Sequence, residues 1–317
     1  MQFNDYNFEY IALFFIIYNV IAFGLQPFFG YFADQKNLYF IYILVGLLLP
    51  LIALQMISLG VVAIILATLG NAMYHVGGGV LSVNLYPNKA APAGFFVAPG
   101  ALGVFAGTVL ANGYNSPVIY ISLIVIVTLL SLFFVFRSHI NNHTYKPIPK
   151  NFIKIIYLIL LVVLIRGSIG TMLILTWKSQ IWLLFALTLG VFAGKFFGGW
   201  LGDLFGYKLI GIGGLVVSLP LLILGHQMPL FGILGAFFFN LTMAITLFII
   251  IQNLGKYKGT AFGLTTLSLL IAYLPSAFGL KFEFGIFYEV FIFISVALGA
   301  YLLNLAIDNH LENTEGV

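Results

Sequence analysis

The stretch Gly199-Trp200-Leu201-Gly202-Asp203-Leu204-Phe205-Gly206-Tyr207-Lys208 closes a long apolar run with glycines, a carboxylate and a lysine. Slid back by 169 residues, its first eight residues fall on Gly30-Tyr31-Phe32-Ala33-Asp34-Gln35-Lys36-Asn37. Gly30 meets Gly199, Asp34 meets Asp203, and Asn37 stands where Gly206 does. Asn is the next-best residue after glycine for a left-handed backbone position, so that exchange is chemically sensible. The same ungapped shift sets Phe28 on Phe197, Ile41 on Ile210, Ile43 on Ile212 and Ala67 on Ala236. It also sets Asn71 on Asn240, Asn84 on Asn253, Leu85 on Leu254 and Gly94 on Gly263. In so apolar a chain, matched aliphatic residues mean little. Matched Asn, Asp and Gly residues argue for a duplication.

Composition says what was duplicated. Of 317 residues, 62% are hydrophobic and only 7% are charged, and the mean hydropathy is +1.11. Ordinary soluble domains carry ~25% charged residues. A soluble enzyme, a disordered chain and a nucleic-acid-binding domain are excluded. A membrane β-barrel would need a polar lumen that dilutes the apolar count. Helices remain, because they satisfy their own backbone groups within lipid. The expected fold class is all-α, a polytopic membrane bundle of about eleven transmembrane helices at ~20 residues each.

The expected spans are 9–33, 38–57, 60–85, 92–112, 117–136, 152–175, 180–203, 208–227, 230–253, 259–281 and 284–305. The long polar loop from Arg137 to Asn151 contains Pro147 and Pro149 and is the natural boundary. The expected organisation is an N-terminal half at 1–136, a central loop at 137–151, a C-terminal half at 152–306 and a short tail at 307–317. Span one maps onto span seven, an even number of spans away, so the repeats are parallel. Span six would map to positions before residue 1, so the halves hold five and six helices. Either the first helix is lost or the start is incomplete, and a second chain that supplies the helix is a possible partner.

Loop charge gives orientation. The loops on the Lys36 side hold Lys36, Lys89, Arg137, Lys146, Lys150, Lys208, Lys256 and Lys258, with Lys154 at the border. The opposite loops hold only Lys178 and Lys281. The positive-inside rule makes the Lys36 side cytoplasmic, with the N-terminus outside and the C-terminus inside. A multi-pass protein of the plasma membrane or bacterial inner membrane is expected. The chain has no cysteine, which excludes disulfides and thiolate metal sites. The first apolar segment has acidic flanks, Asp5 and Glu9, and is too long for a cleavable signal.

The run from Gly199 to Lys208 resembles the signature loop of the major facilitator superfamily, G-x-L-x-D-x-x-G-x-K, which follows the second helix of each six-helix half. The first-half copy is degraded but keeps Asp34 and Lys36. The resemblance covers nearly the whole chain through helix count, two halves, a basic central loop and charge bias, and departs in lacking one helix of twelve. It implies alternating access, with two helical halves rocking about a site at mid-depth, and energy from an ion gradient, most often protons. Span four, with Ala98-Pro99-Gly100, faintly resembles the Gly-Pro motif of drug–proton antiporters of that superfamily; small-residue packing and a proline bend explain it equally well.

Polar residues inside the spans are the site candidates, because each is costly in lipid. Arg166 lies about 3 Å from the middle of its span at 1.5 Å per residue. It is either an anchor for an anionic or carbonyl-bearing solute or a hydrogen-bond hub between helices. Lys195 lies about 12 Å inside the cytoplasmic end, and its repeat mate is Gln26. It either touches substrate or gate, or snorkels. Asn71 and His75 share a helix face, and Asn240 is the mate of Asn71; the competing reading is interhelical glue. Gly77, Gly78 and Gly79 allow close packing or local unwinding. His75 could carry a proton, and Glu289, near the outer end of the last span, is a second candidate for proton coupling. Asp34, Asp203 and Lys208 are the gating candidates: a carboxylate there can cap a neighbouring helix N-terminus or pair with a loop lysine.

The resemblance therefore implies secondary active transport of a small solute by alternating access, with H+ as the coupling ion. No cofactor and no nucleic-acid partner is implied; the other partner is the lipid bilayer. Two buried cations lean slightly toward an anionic or zwitterionic solute. A second reading is a non-transporting sensor or assembly partner derived from a transporter. No nucleotide loop, paired carboxylates or metal-ligand cluster supports an enzyme.

Overall fold

The computed structural model describes residues 8–113, 126–127, 130, 148–280 and 283–315. Among the described residues the regular elements are helices, and nine are long and apolar enough to cross a membrane. Tyr39–Gln55 is a shorter apolar helix. The chain is a multi-pass membrane protein of the all-α class. The expected span at 117–136 lies almost wholly outside the described residues, as do Arg137, Lys146 and Lys281.

Three expected spans are interrupted, each for a local reason. The first is a helix at Phe8–Asn19, a π-turn at Val20–Gly24 and a helix at Gln26–Lys36. Pro27 has no N–H to give the preceding turn, and the Phe23 carbonyl accepts from Thr266 Oγ1 instead, at 3.3 Å. Span four divides into Ala91–Val97 and Pro99–Gly113 at its proline. Span nine divides into Pro229–Asn240 and Thr242–Asn253 with no proline at the joint. There, Asn240 Nδ2 donates to the Ala236 carbonyl at 2.8 Å and Thr242 Oγ1 to the Phe239 carbonyl at 3.0 Å. These side chains compete for carbonyls of the preceding turn. The last helix, Ile286–Glu315, continues past the expected end near residue 305.

The described chain forms two compact units. One holds the chain up to Leu85 with Lys256–Leu270, and includes residues 126, 127 and 130. The other holds the described residues from Tyr86 to Gly113, from Ile148 to Gly255 and from Ile271 onward. In the first unit Ala33, Tyr39, Tyr42, Val76 and Val80 form a core against Phe29, Leu38 and Met73. Val61–Leu85 is one unbroken helix, so Gly77, Gly78 and Gly79 serve packing rather than unwinding.

In the second unit Gly190, Gly194 and Gly198 recur every fourth residue on the helix Ile181–Phe205. They face the carbonyls of Ile233, Phe237 and Leu241, which recur at the same interval. Lipid offers no hydrophobic drive for helix pairing, so this backbone-close contact carries association through van der Waals packing.

Candidate functional site

Both signature carboxylates cap a helix start. Asp203 accepts the N–H of Ala90 on Oδ1 at 2.8 Å and that of Ala91 on Oδ2 at 2.9 Å. Tyr207 Oη donates to Oδ1 at 3.0 Å. Asp34 accepts the N–H of Gly259 on Oδ1 at 2.7 Å and that of Thr260 on Oδ2 at 2.8 Å. It also accepts from Thr260 Oγ1 at 2.6 Å and Tyr39 Oη at 2.5 Å. Helix starts leave N–H groups without internal partners and attract negative charge.

The two clamps are copies. Ala90 and Ala91 stand 169 residues before Gly259 and Thr260, the same shift that separates Asp34 from Asp203. The Asp34 clamp lies within the first unit and the Asp203 clamp within the other. Each joins the end of a helix in one repeat to the start of a helix in the other. At the turns that follow, Asn37 has φ 52° and Gly206 φ 95°. Asn takes the left-handed helical conformation there, whereas ψ of 142° at Gly206 belongs to glycine alone.

Lys208 is not drawn to Asp203. It pairs with Asp308 of the last helix, both groups partly exposed. Lys258 Nζ donates to Asn84 Oδ1 at 2.6 Å, whereas the mate of Asn84, Asn253, meets His310 Nδ1 at 2.9 Å.

The mid-span candidates divide between the units. In the first, Asn71 Nδ2 donates to Tyr18 Oη at 2.8 Å. His75, one turn on, has its ring 6.3 Å from that of Phe262 at 26°. Gln26 is buried, its Nε2 donating to the Ala22 carbonyl at 2.6 Å while its Oε1 finds no partner among the described residues. In the second unit Arg166 is 9% exposed and its guanidinium lies 5.4 Å over the Phe239 ring. Its buried Nε has no hydrogen-bond partner among the described residues. Lys195 is half-buried and within Coulombic reach of Arg166. Asn240 follows Phe239 at the joint of span nine, and its Cβ packs at Gly194 beside Lys195. Arg166 thus lies against the residue before Asn240, and Asn240 against the residue before Lys195. Glu289 lies in the first turn of Ile286–Glu315.

Phe239, Tyr39, Tyr207 and Thr260 escaped the sequence reading. The repeat shift held a usable signal for Thr260, since it pairs Thr260 with Ala91 as it pairs the two aspartates. The aromatic residues had none, because phenyl and phenol rings occur throughout the chain.

No known protein family matches the sequence, and no curated protein matches it. Solved structures match the fold. One is FucP, a major facilitator superfamily transporter in the outward conformation, with a TM-score of 0.65 at 16% identity over 96% of this chain and 91% of that one. The fucose:proton symporter FucP of E. coli, in a variant form, gives 0.66 at 14% identity over 94% and 91%. A bacterial homologue of the iron transporter ferroportin, in an outward-facing state, gives 0.56 at 14% identity over 97% and 92%. The chain has the fold of the major facilitator superfamily.

Proposed function

We propose that the chain is a secondary transporter working by alternating access, with the repeated carboxylate clamp as its gate. The observation that carries this is the reciprocity of Asp34 and Asp203, each holding the helix start that the repeat assigns to the other. Hydrogen bonds to a charged group contribute ~1.5–3 kcal/mol each. A few such bonds match the few-kcal/mol gap of a two-state switch. The basic loops support a cytoplasmic position for this end, so the made clamps would hold that end and their release free it. Lys208 assists by tying the second signature loop to Asp308. Asn71, His75, Arg166, Lys195 and Asn240 serve the solute. An H+ gradient supplies the energy, with His75 as first relay candidate, since an imidazole can take up and release a proton, and Glu289 as second.

The absence of cysteine makes a clean test possible. Ala93 and Ala261 are fully buried behind the two clamps. Single cysteines there are to be labelled from the cytoplasmic side of membrane vesicles, with and without Asp34→Asn and Asp203→Asn. The Asn amide faces N–H donors with an N–H of its own, so the clamps open and labelling rises at least several-fold. Unchanged labelling would leave a locked bundle and favour the non-transporting sensor or assembly partner.

A further inference from the structure

The second unit holds a buried arginine and a half-buried lysine that find no counter-charge among the described residues. Arg166 is nine-tenths buried, and its Nε has no hydrogen-bond partner among the described residues. Lys195 makes no hydrogen bond or ion pair among the described residues, and its charge repels that of Arg166. Among the described residues neither cation forms an ion pair with a carboxylate of this unit. Asp203 holds Ala90 and Ala91, Asp308 holds Lys208, and Glu289 sits at a helix start. A guanidinium does not shed its proton to escape such a place. Burying charge without a partner is unfavourable and persists where it serves a function.

We infer that Arg166 and Lys195 form a binding site for an organic anion bearing a carboxylate or phosphate group. Phe239 covers one face of the guanidinium, which leaves the planar edge, including Nε, for two parallel N–H bonds to an oxyanion. Lys195 adds a second positive charge. Asn240 uses one amide N–H on the Ala236 carbonyl and retains another donor. Phe192, one turn before Lys195, stacks on Phe196 at 5.7 Å and supplies apolar surface for the organic body. The Lys195 charge is not repeated, for its mate in the other repeat is the neutral Gln26. This inference names the solute class of the proposed transporter and rests on that reading for the solute's movement, though not for its binding.

The test uses the purified full chain in lipid nanodiscs. Thermal unfolding is followed with benzoate, succinate, phenyl phosphate and inorganic phosphate as probes, and with L-fucose and Fe2+ as a neutral and a cationic comparison. The organic anions are expected to raise the midpoint, fucose and Fe2+ to leave it unchanged. The carboxylate and phosphate arms decide which oxyanion is taken. Lys195→Gln, which installs the residue of the other repeat, is expected to weaken binding about tenfold or more, and Arg166→Gln to abolish it. Arg166→Gln is also expected to raise the midpoint of the ligand-free protein, because an unbalanced charge is removed. A lower ligand-free midpoint in Arg166→Gln would mark a structural hub and overturn the inference. So would anion binding that survives Arg166→Gln, or the failure of every anion to bind. Uptake of the bound probe into proteoliposomes separates the two readings. Binding without uptake keeps the anion site and sinks the transporter; fucose uptake without anion binding does the reverse.

Discussion

The carbonyl oxygen of Lys195 lies so close to Gly94 that a Cβ there would fall 2.5 Å from it. Gly263 stands to the Gln26 carbonyl in the same way, also at 2.5 Å, and all four residues obey the 169-residue shift. Two helix crossings, one in each unit, are therefore fixed by backbone contact. Gly94→Ala and Gly263→Ala force backbone apart, and overpacking of this kind costs ~1–3 kcal/mol. Gly103→Ala and Gly107→Ala meet nothing within 4 Å and gain helix propensity. Unfolding midpoints in detergent should fall for the first pair and stay level or rise for the second. Equal effects in all four would refute the crossing.

The clamps are alike in design but unequal in strength. Asp34 accepts from Gly259, from both donors of Thr260 and from Tyr39, whereas Asp203 accepts from Ala90, Ala91 and Tyr207. Asp34→Ala should therefore destabilise more than Asp203→Ala, by ~1.5–3 kcal/mol for the additional bond to the carboxylate. Thr260→Val removes that bond alone while keeping the side-chain shape. It should bring the Asp34 clamp down to the level of the Asp203 clamp. A double-mutant cycle between Thr260→Val and Asp34→Ala measures the coupling, and a coupling near zero would contradict the assigned contact.

The clamps show what sequence can and cannot carry. The aspartates, the shift and the helix-capping role were legible, because a carboxylate after an apolar run is rare and the repeat doubles the signal. Helix identity was legible from hydropathy. The joint at Asn240 was not, since Asn and Thr break a helix only when their side chains take carbonyls of the preceding turn, and nothing in spacing dictates that choice. Nor was Phe239 over Arg166, one ring among many, placed there by the crossing of two helices distant in sequence. Lys208 was expected at the gate because it belongs to the signature loop. Its partner Asp308 became reachable only because the last helix runs on to Glu315.

That pair supports a prediction of small size. Lys208 and Asp308 are 45% and 39% exposed at their side chains. A pair so open to water contributes ~0–1 kcal/mol and is screened by salt. Lys208→Ala and Asp308→Ala should each lower stability slightly at low salt, and the difference from wild type should shrink at high salt. A large, salt-independent loss would show that the pair is shielded by surroundings of low dielectric.

Trp177 offers the sharpest local test in the second unit. It is 5% exposed, and its Nε1 donates to the Gly225 carbonyl at 2.8 Å. Beside it, the N–H and hydroxyl of Thr176 both reach the His226 carbonyl, at 3.2 and 2.9 Å. The segment between Met172 and Ile181 has little helix of its own, so these bonds pin it to the end of Tyr207–Leu224. Trp177→Phe keeps most of the ring but strands the Gly225 carbonyl, at a cost of ~1–3 kcal/mol. Trp177→Ala also empties the pocket against Gly232 and should cost ~3–5 kcal/mol. Hydrogen exchange should report the loss at residues 173–180 and 225–226 before the rest of the unit opens. If Trp177→Phe exchanges like wild type there, the indole hydrogen bond does not hold the segment, and shape alone must.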